Sequence, residues 1–297
     1  MSDTTHFVWG NFFNVLRFSG LAPFKKTKTE FYEVSTKLLY FSLIFVVLIF
    51  LIYIAFDVKV VVDFMKGKDF YSDAFILISL LGFSWQCIFA LLIISYKSSL
   101  ICDLLNKIVK LKKKLKVLMH CEMKEIFLRA NISMYYIAEY LALIADSSVL
   151  LIQNKSWRLG PFFDFFIDFY ISLVFIAVEF NFVLYVNNSL IIFEKINFGL
   201  SKKKLLVNGL RVKMLRAIHF QACEIVELIN KCFSEMLLVF VATEFATLVY
   251  EIHFRNDNDD DKWRSYMKSA FWFLFYAMKL INKVGNCERV YAEVSSK

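Results

Sequence analysis

The sequence predicts an all-α, polytopic membrane protein: six membrane-spanning helices with long helical extensions on one side of the bilayer. Three observations predict it. The chain is 59% apolar with 34 Phe among 297 residues, and a mean hydropathy of +0.55 does not suit a soluble domain of this length. Only two prolines and eight glycines interrupt it, which favours long unbroken helices over a β-barrel. The apolar residues gather in six segments of spanning length: Leu38–Phe56, Ala74–Tyr96, Ile132–Ile152, Phe162–Val186, Phe233–Phe254 and Met267–Val284.

Residues 1–37 precede the first segment and lack a compact apolar region with a small-residue cleavage site, so Leu38–Phe56 is expected to act as the signal anchor. The sixth segment is the least apolar, because Lys268, Lys279 and Lys283 crowd its centre, AFWFLFYAM. Lys and Arg counts set the orientation. Residues 1–37, 97–131, 187–232 and 282–297 hold five, nine, eight and three. The alternate loops 57–73 and 153–161 hold three and two, and the last loop's four are offset by Asp257, Asp259, Asp260 and Asp261. Basic loops face the cytosol, so both termini are expected there, in a multi-pass membrane protein. The expected organisation is a cytosolic segment 1–37, a bundle 38–284 with cytosolic extensions near 97–131 and 187–232, and a cytosolic tail 285–297.

Two of the helices overshoot the bilayer. From Leu210 to Phe254 there is no Gly or Pro, and one helix of that length would run about 68 Å, more than twice the hydrocarbon thickness. Its first half is amphipathic: Leu215, Ile218, Ala222, Ile225 and Ile229 form a stripe, with Lys213, Arg216, Glu224 and Glu227 off it. Phe162–Ile196 is likewise unbroken and would run about 50 Å. Projecting to the same side, the two can pack together there. Their basic link, Lys202–Lys204, reads as a solvated inside-positive loop with contact to anionic lipid as the second reading, and Lys107–Lys116 as a basic cytosolic helix with calmodulin or lipid binding as the alternative. There is no internal repeat of the transporter kind.

The net charge of +8 is accounted for by these loops, which removes the case for nucleic acid as a partner. His6, His120, His219 and His253 have no metal-ligand spacing, and no catalytic or nucleotide motif occurs, so neither an enzyme nor a cofactor is expected. Cys102, Cys121, Cys223, Cys232 and Cys287 fall in cytosolic or boundary segments and Cys87 within a span, so no disulfide is expected. The acids inside the spans are more telling: Glu139 and Asp146, Asp164 and Asp168, Glu179, Glu244 and Glu251. A carboxylate at a span's centre costs about 2.5–3.5 kcal/mol, so Glu244 should face protein or water. The outer halves of the spans combine aromatic and sparse polar residues: Asp146 and Ser147, Phe165, Asp168 and Phe169, Glu244, Thr247 and Tyr250, Trp272 and Phe275. Such a set suits a mostly apolar pocket for a small organic ligand, and equally the ordinary filling and aromatic belt of a membrane bundle.

Three stretches carry a resemblance. His219, Glu224, Ile229, Asn230, Phe233, Leu237 and Leu238 form a run leading into a span that resembles the segment before the fifth span of insect gustatory receptors. NFFNVLRFSGLAPF at Asn11–Phe24 is similar to that family's "GL-x-P-F" opening, and NKVGNCERVYAEVSSK at Asn282–Lys297 resembles the link before its last span. The resemblance implies a taste receptor that is a ligand-gated cation channel, a homo- or hetero-tetramer with other gustatory receptor subunits, opened by a small-molecule tastant. It assigns His219, Glu224, Asn230 and Phe233 to the family motif and assembly region. Sugar, bitter compound and carbon dioxide stay open as tastant classes. The family's pore-lining seventh span, with its Thr-Tyr…Gln-Phe signature, does not follow before Lys297. The chain is therefore expected to be either a truncated gene model or splice product, or a degenerate member without its own pore helix, and its stripe at Leu215–Ile229 to lack one of its usual partners and leave apolar surface bare. An odorant receptor of the same superfamily is the first alternative. A G-protein-coupled receptor, which the charge pattern opposes, and a transporter follow it.

Overall fold

The computed structural model describes residues 16–17, 20–27, 31–64, 85–119, 159–201, 209–253 and 262–295. The third expected span, Ile132–Ile152, lies outside the described residues, as do the first half of the second and the Lys202–Lys204 link. The described residues are almost entirely helical. Six helices follow a short hairpin: β1 (Phe24–Lys26), β2 (Tyr32–Val34), α1 (Thr36–Phe64), α2 (Trp85–Tyr96), α3 (Ser98–Met119), α4 (Leu159–Ser201), α5 (Gly209–His253) and α6 (Lys262–Ser295).

The hairpin is the departure from an all-helical reading. β1 and β2 pair antiparallel with Phe24 opposite Val34 and Lys26 opposite Tyr32. Two strands cannot stand alone in water, and this pair is held by its neighbours. Asn106 of α3 serves β2 as a third strand would: its Oδ1 accepts from the Tyr32 N–H at 2.7 Å and its Nδ2 donates to the Tyr32 carbonyl at 2.9 Å. The residues just before β1 close a helical turn. Gly20 N–H donates to the Arg17 carbonyl (3.1 Å) and Leu21 N–H to the Leu16 carbonyl (2.7 Å), the paired bonds of a Schellman motif. Gly20 has φ +77°, so a side chain there would be strained. The turn drives Leu21, Ala22 and Phe24 into the core.

α2 and α3 form one bent rod, turning by 67° at Lys97. The hydrogen-bond ladder carries through the bend, with Lys97 N–H on the Ile93 carbonyl and Ile101 N–H on the Lys97 carbonyl. α3 buries Ile101, Leu104, Leu105, Ile108, Leu111 and Leu115 at helical spacing. That covered face corrects the calmodulin alternative, which needs the apolar side of the helix free. Two of its lysines reach neighbouring helices: Lys112 Nζ donates to Asn188 Oδ1 at 2.5 Å and Lys114 Nζ to Gln221 Oε1 at 2.9 Å.

α4 and α5 are the long helices expected, at 43 and 45 residues. They pack antiparallel along an aromatic seam: Phe175 stacks on Phe240 (centroids 4.5 Å), Phe182 meets Phe233 (5.9 Å), and Phe193 meets His219 edge-on (5.4 Å). The α5 stripe is buried throughout, with Leu215, Ile218, Ala222, Ile225 and Ile229 all in the core. The bare apolar surface expected along this stripe is not found. The same chain supplies the cover, from α3 and α4. Gly199 lets α4 pass close to α3, since a Cβ there would lie 3.1 Å from Met119 Sδ.

α6 runs on to Ser295, so the expected tail from 285 is largely the end of a 34-residue helix. Among the described residues one helical stretch, Phe169–Ser201, is long and apolar enough to cross a bilayer on its own, and the bent pair α2–α3 makes a second if counted as one span.

Candidate functional site

Three charged side chains meet inside the bundle, one from each of the last three helices. Lys283 of α6 places its Nζ 2.6 Å from Glu179 Oε1 of α4 and 2.8 Å from Glu244 Oε1 of α5. Both carboxylate side chains are 1% exposed and the lysine side chain 8%. Groups this well shielded from water keep their charge only when paired, because desolvation of a lone ion costs several kcal/mol. Lys283 resolves the insertion cost of both acids at once.

The helix geometry explains how two acids so far apart in level reach one ammonium. In the register of the aromatic seam, Glu179 is level with Met236, eight residues from Glu244, an axial offset of about 12 Å. Helical side chains lean towards their own N-terminus, and α4 and α5 run in opposite directions. Glu179 and Glu244 therefore lean towards each other, and the long Lys283 stem fills the gap from the third side. One turn further along α6, Asn286 is also buried.

The sequence singled out Glu244 as a possible ligand group. It is buried and committed to Lys283. In the sequence Glu179 is one of several acids inside the spans, and Lys283 one of the lysines that crowd the sixth. The signal that could have found it is elementary: two carboxylates inside neighbouring spans require a cation at the same depth, and of the last three expected spans only the sixth contains lysines.

The other ligand candidates are placed less completely. Asp146 and Ser147 lie outside the described residues. Phe165, Asp168 and Phe169 lie in the N-terminal half of α4, Thr247 and Tyr250 near the end of α5, and Trp272 and Phe275 in the first half of α6. Seven residues forward on α4 match seven back on α5 along the seam. One more step of seven brings position 168 level with 247, and 165 level with 250. The backbone thus gathers these positions at one end of the bundle, beyond the charged cluster.

At the opposite end lies a polar and aromatic layer. Asn197 Nδ2 donates to Glu293 Oε2 at 2.6 Å and to the Glu293 carbonyl at 3.2 Å, joining α4 to the end of α6. His219 packs on Phe193 and has its Nδ1 3.8 Å from Cys223 Sγ. Phe233 is fully buried against Phe182 and Tyr185, Glu224 pairs with Lys107 of α3 at 3.6 Å, and Asn230 is exposed. The four motif residues thus divide: His219 and Phe233 hold α5 to α4, Glu224 faces α3, and Asn230 faces outward. A Lys97 clasp fastens the α2–α3 bend to α5, with Nζ 2.7 Å from the Lys231 carbonyl and 3.0 Å from Glu235.

No curated protein matches the chain. Residues 12–296, nearly its whole length, match the family described as 7tm Chemosensory receptor. The buried "GLAPF" turn, the helix-rich bundle and the long α4–α5 pair all fall within that match, and the chain belongs to the 7tm Chemosensory receptor family.

Proposed function

We propose that this chemoreceptor is a gustatory receptor subunit: a ligand-gated cation channel of the plasma membrane, with its N-terminus in the cytosol, assembling as a tetramer with copies of itself or related subunits. The observation that carries the gustatory reading is the His219–Leu238 run, whose His219 and Phe233 hold α5 against α4. The Lys and Arg distribution supports the orientation. The ligand site of this reading is the end of the bundle where positions 165, 168, 169, 247, 250, 272 and 275 stand, with Asp146 and Ser147 as further candidates from the sequence alone and Glu244 acting behind it through Lys283. Aromatic walls with a few polar anchors fit a small organic tastant. No step of such a receptor asks for bond-making chemistry.

The test is electrical. A chain continued after Lys297 by the seventh span of a gustatory receptor is expressed in cells and shown to be at the surface by biotinylation. Sugars, bitter compounds and bicarbonate are then applied, with a panel of volatile odorants alongside. At least one tastant class is expected to evoke an inward cation current. Currents evoked by volatiles alone would move the chain to the odorant branch, and surface protein silent to all panels would overturn the channel reading. Tags at Met1 and at Lys297 of the chain itself are expected to need permeabilisation before antibody binds.

A further inference from the structure

We propose that His219 and Cys223 form an open, two-donor site for a thiophilic divalent cation of the zinc class on the α5 extension. This goes beyond the receptor reading and does not depend on it. The histidines alone show no metal-ligand spacing, and the pairing that matters is His219 with a cysteine four residues on. That spacing stacks the two side chains on one face of the helix. His219 Nδ1 lies 3.8 Å from Cys223 Sγ, and in the Nε2–H tautomer it presents its lone pair to the sulfur. Zinc bonds of about 2.0–2.1 Å to nitrogen and about 2.3 Å to sulfur, at a tetrahedral angle, set such donors about 3.6 Å apart. The helix therefore already holds nitrogen and sulfur at nearly the separation of one edge of a zinc tetrahedron. Phe193 of α4 meets the imidazole edge-on at 5.4 Å and Phe220 at 6.4 Å, so the ring is positioned before any ion arrives. Both residues are half-buried, which leaves an approach from water. Exposed Glu227 stands one turn beyond, and its charge is felt at the sulfur. A carboxylate there opposes a bare thiolate but favours a bound divalent cation, so the local field suits an ion better than a reactive cysteine. Among the described residues no third His, Cys, Asp or Glu completes a closed site. The remaining positions of the tetrahedron fall to water, as in an open zinc site. On binding, the ion takes the place of the thiol proton, which passes to solvent, and the site gains one net positive charge.

The first test uses the wild-type chain in the membranes of expressing cells. Zinc is added at micromolar levels, thiols are alkylated briefly, and the modified peptides are quantified by mass spectrometry. Zinc is expected to slow alkylation of Cys223 several-fold and to leave that of exposed Cys287 unchanged. Equal rates at Cys223 with and without zinc overturn the proposal. The second test titrates cadmium, which takes the same donors, into the chain purified in detergent and follows the sulfur-to-metal absorption band. Cys223→Ser is expected to remove the zinc-displaceable part of that band. His219→Phe retains a ring against Phe193 but no donor, and is expected to weaken cadmium binding about tenfold or more. Glu227→Gln, on the exposed side, is expected to weaken it several-fold. A band unchanged in Cys223→Ser places the ion elsewhere and overturns the proposal. Binding unchanged in His219→Phe means that the thiol acts alone, which overturns it equally. If His219→Phe does not fold, zinc protection in the wild-type chain and the Cys223→Ser titration decide. A chain protected by zinc that gives no tastant current would count against the receptor reading and leave the metal site standing.

Discussion

Two lysines hold α5 to a neighbouring helix, and they do so under opposite conditions. Lys283 sits among side chains with almost no solvent contact and divides its charge between Glu179 and Glu244. Lys97, at the α2–α3 bend, has a side chain 12% exposed, and its acidic partner Glu235 is 60% exposed. The closer of its two contacts is a backbone carbonyl, that of Lys231. Distances hardly differ between the two sites, but dielectric surroundings do. In the dry site, removing one charge leaves its partners unable to recover their hydration. At the bend, water and salt replace much of what Glu235 contributes. A clasp at the bend is therefore a convenience of geometry, whereas the cluster is a requirement.

The largest expected effect follows from that contrast. Lys283→Met should destabilise the chain by about 3–5 kcal/mol, since it leaves two buried carboxylates without their ammonium. Thermal unfolding in detergent, followed at low and high salt, checks it, and the loss should be nearly insensitive to salt because the pair is shielded. Lys97→Ala should cost about 1.5–3 kcal/mol, the value of a hydrogen bond to a charged group, and should relax the 67° bend. A spin-label distance across α2 and α3 reads the bend directly. Glu235→Ala should cost less than about 1 kcal/mol after allowing for its exposure, and the effect should vanish at high salt. If Glu235→Ala proved as damaging as Lys283→Met, burial would not be what separates the two sites.

The smallest effects concern single reactive atoms near the bend. Cys102 lies one turn beyond Lys97 and is buried, which pushes its thiol up to about 12, with the Glu33 carboxylate adding to the shift. A group whose folded value is raised contributes stability that is intact below its unfolded value, near 9, and lost as pH rises towards 12. Alkylation of the native chain should therefore leave Cys102 unmodified at pH values where exposed Cys287 reacts, and denaturant should abolish the difference. Asn187-Asn188-Ser189 is an Asn-x-Ser sequon, expected on the cytosolic side. Asn187 has its side-chain nitrogen buried, so no glycan is expected there, whichever side of the membrane it occupies. A gel shift lost on Asn187→Gln would place this part of α4 on the lumenal side and overturn the cytosolic reading of the segment that follows.

Much of the fold was legible in the residues. The α5 stripe from Leu215 to Ile229 is buried as its 3.6-residue period requires, and the absence of Gly and Pro between Leu210 and His253 is realised as one helix. The hairpin was not legible, because Phe24–Lys26 and Tyr32–Val34 are three residues each and depend on an amide from Asn106, far along the chain. The end of α6 was obscured for the opposite reason. Its last turns are polar, and a polar helix held by Asn197 reads in sequence as a tail. Of the ligand candidates, the aromatic and polar composition of the span ends was visible, but which positions stand level was not. That depends on the α4–α5 register, which the Phe175–Phe240 and Phe182–Phe233 pairs define.

By itself the sequence determined composition-driven properties: helix in place of strand, the length of α4 and α5, which face of α5 is apolar, and that acids such as Glu179 and Glu244 must find partners. Each of these follows from local periodicity or from the cost of moving one side chain out of water, and neither needs a neighbour to be named. Only the tertiary structure decided who the neighbours are. Lys283 lies 39 residues from Glu244 and more than a hundred from Glu179, and nothing local distinguishes it from Lys279 or Lys268. It becomes the shared cation because α4 and α5 run antiparallel, their acids lean towards a common level, and α6 packs where one lysine can reach both.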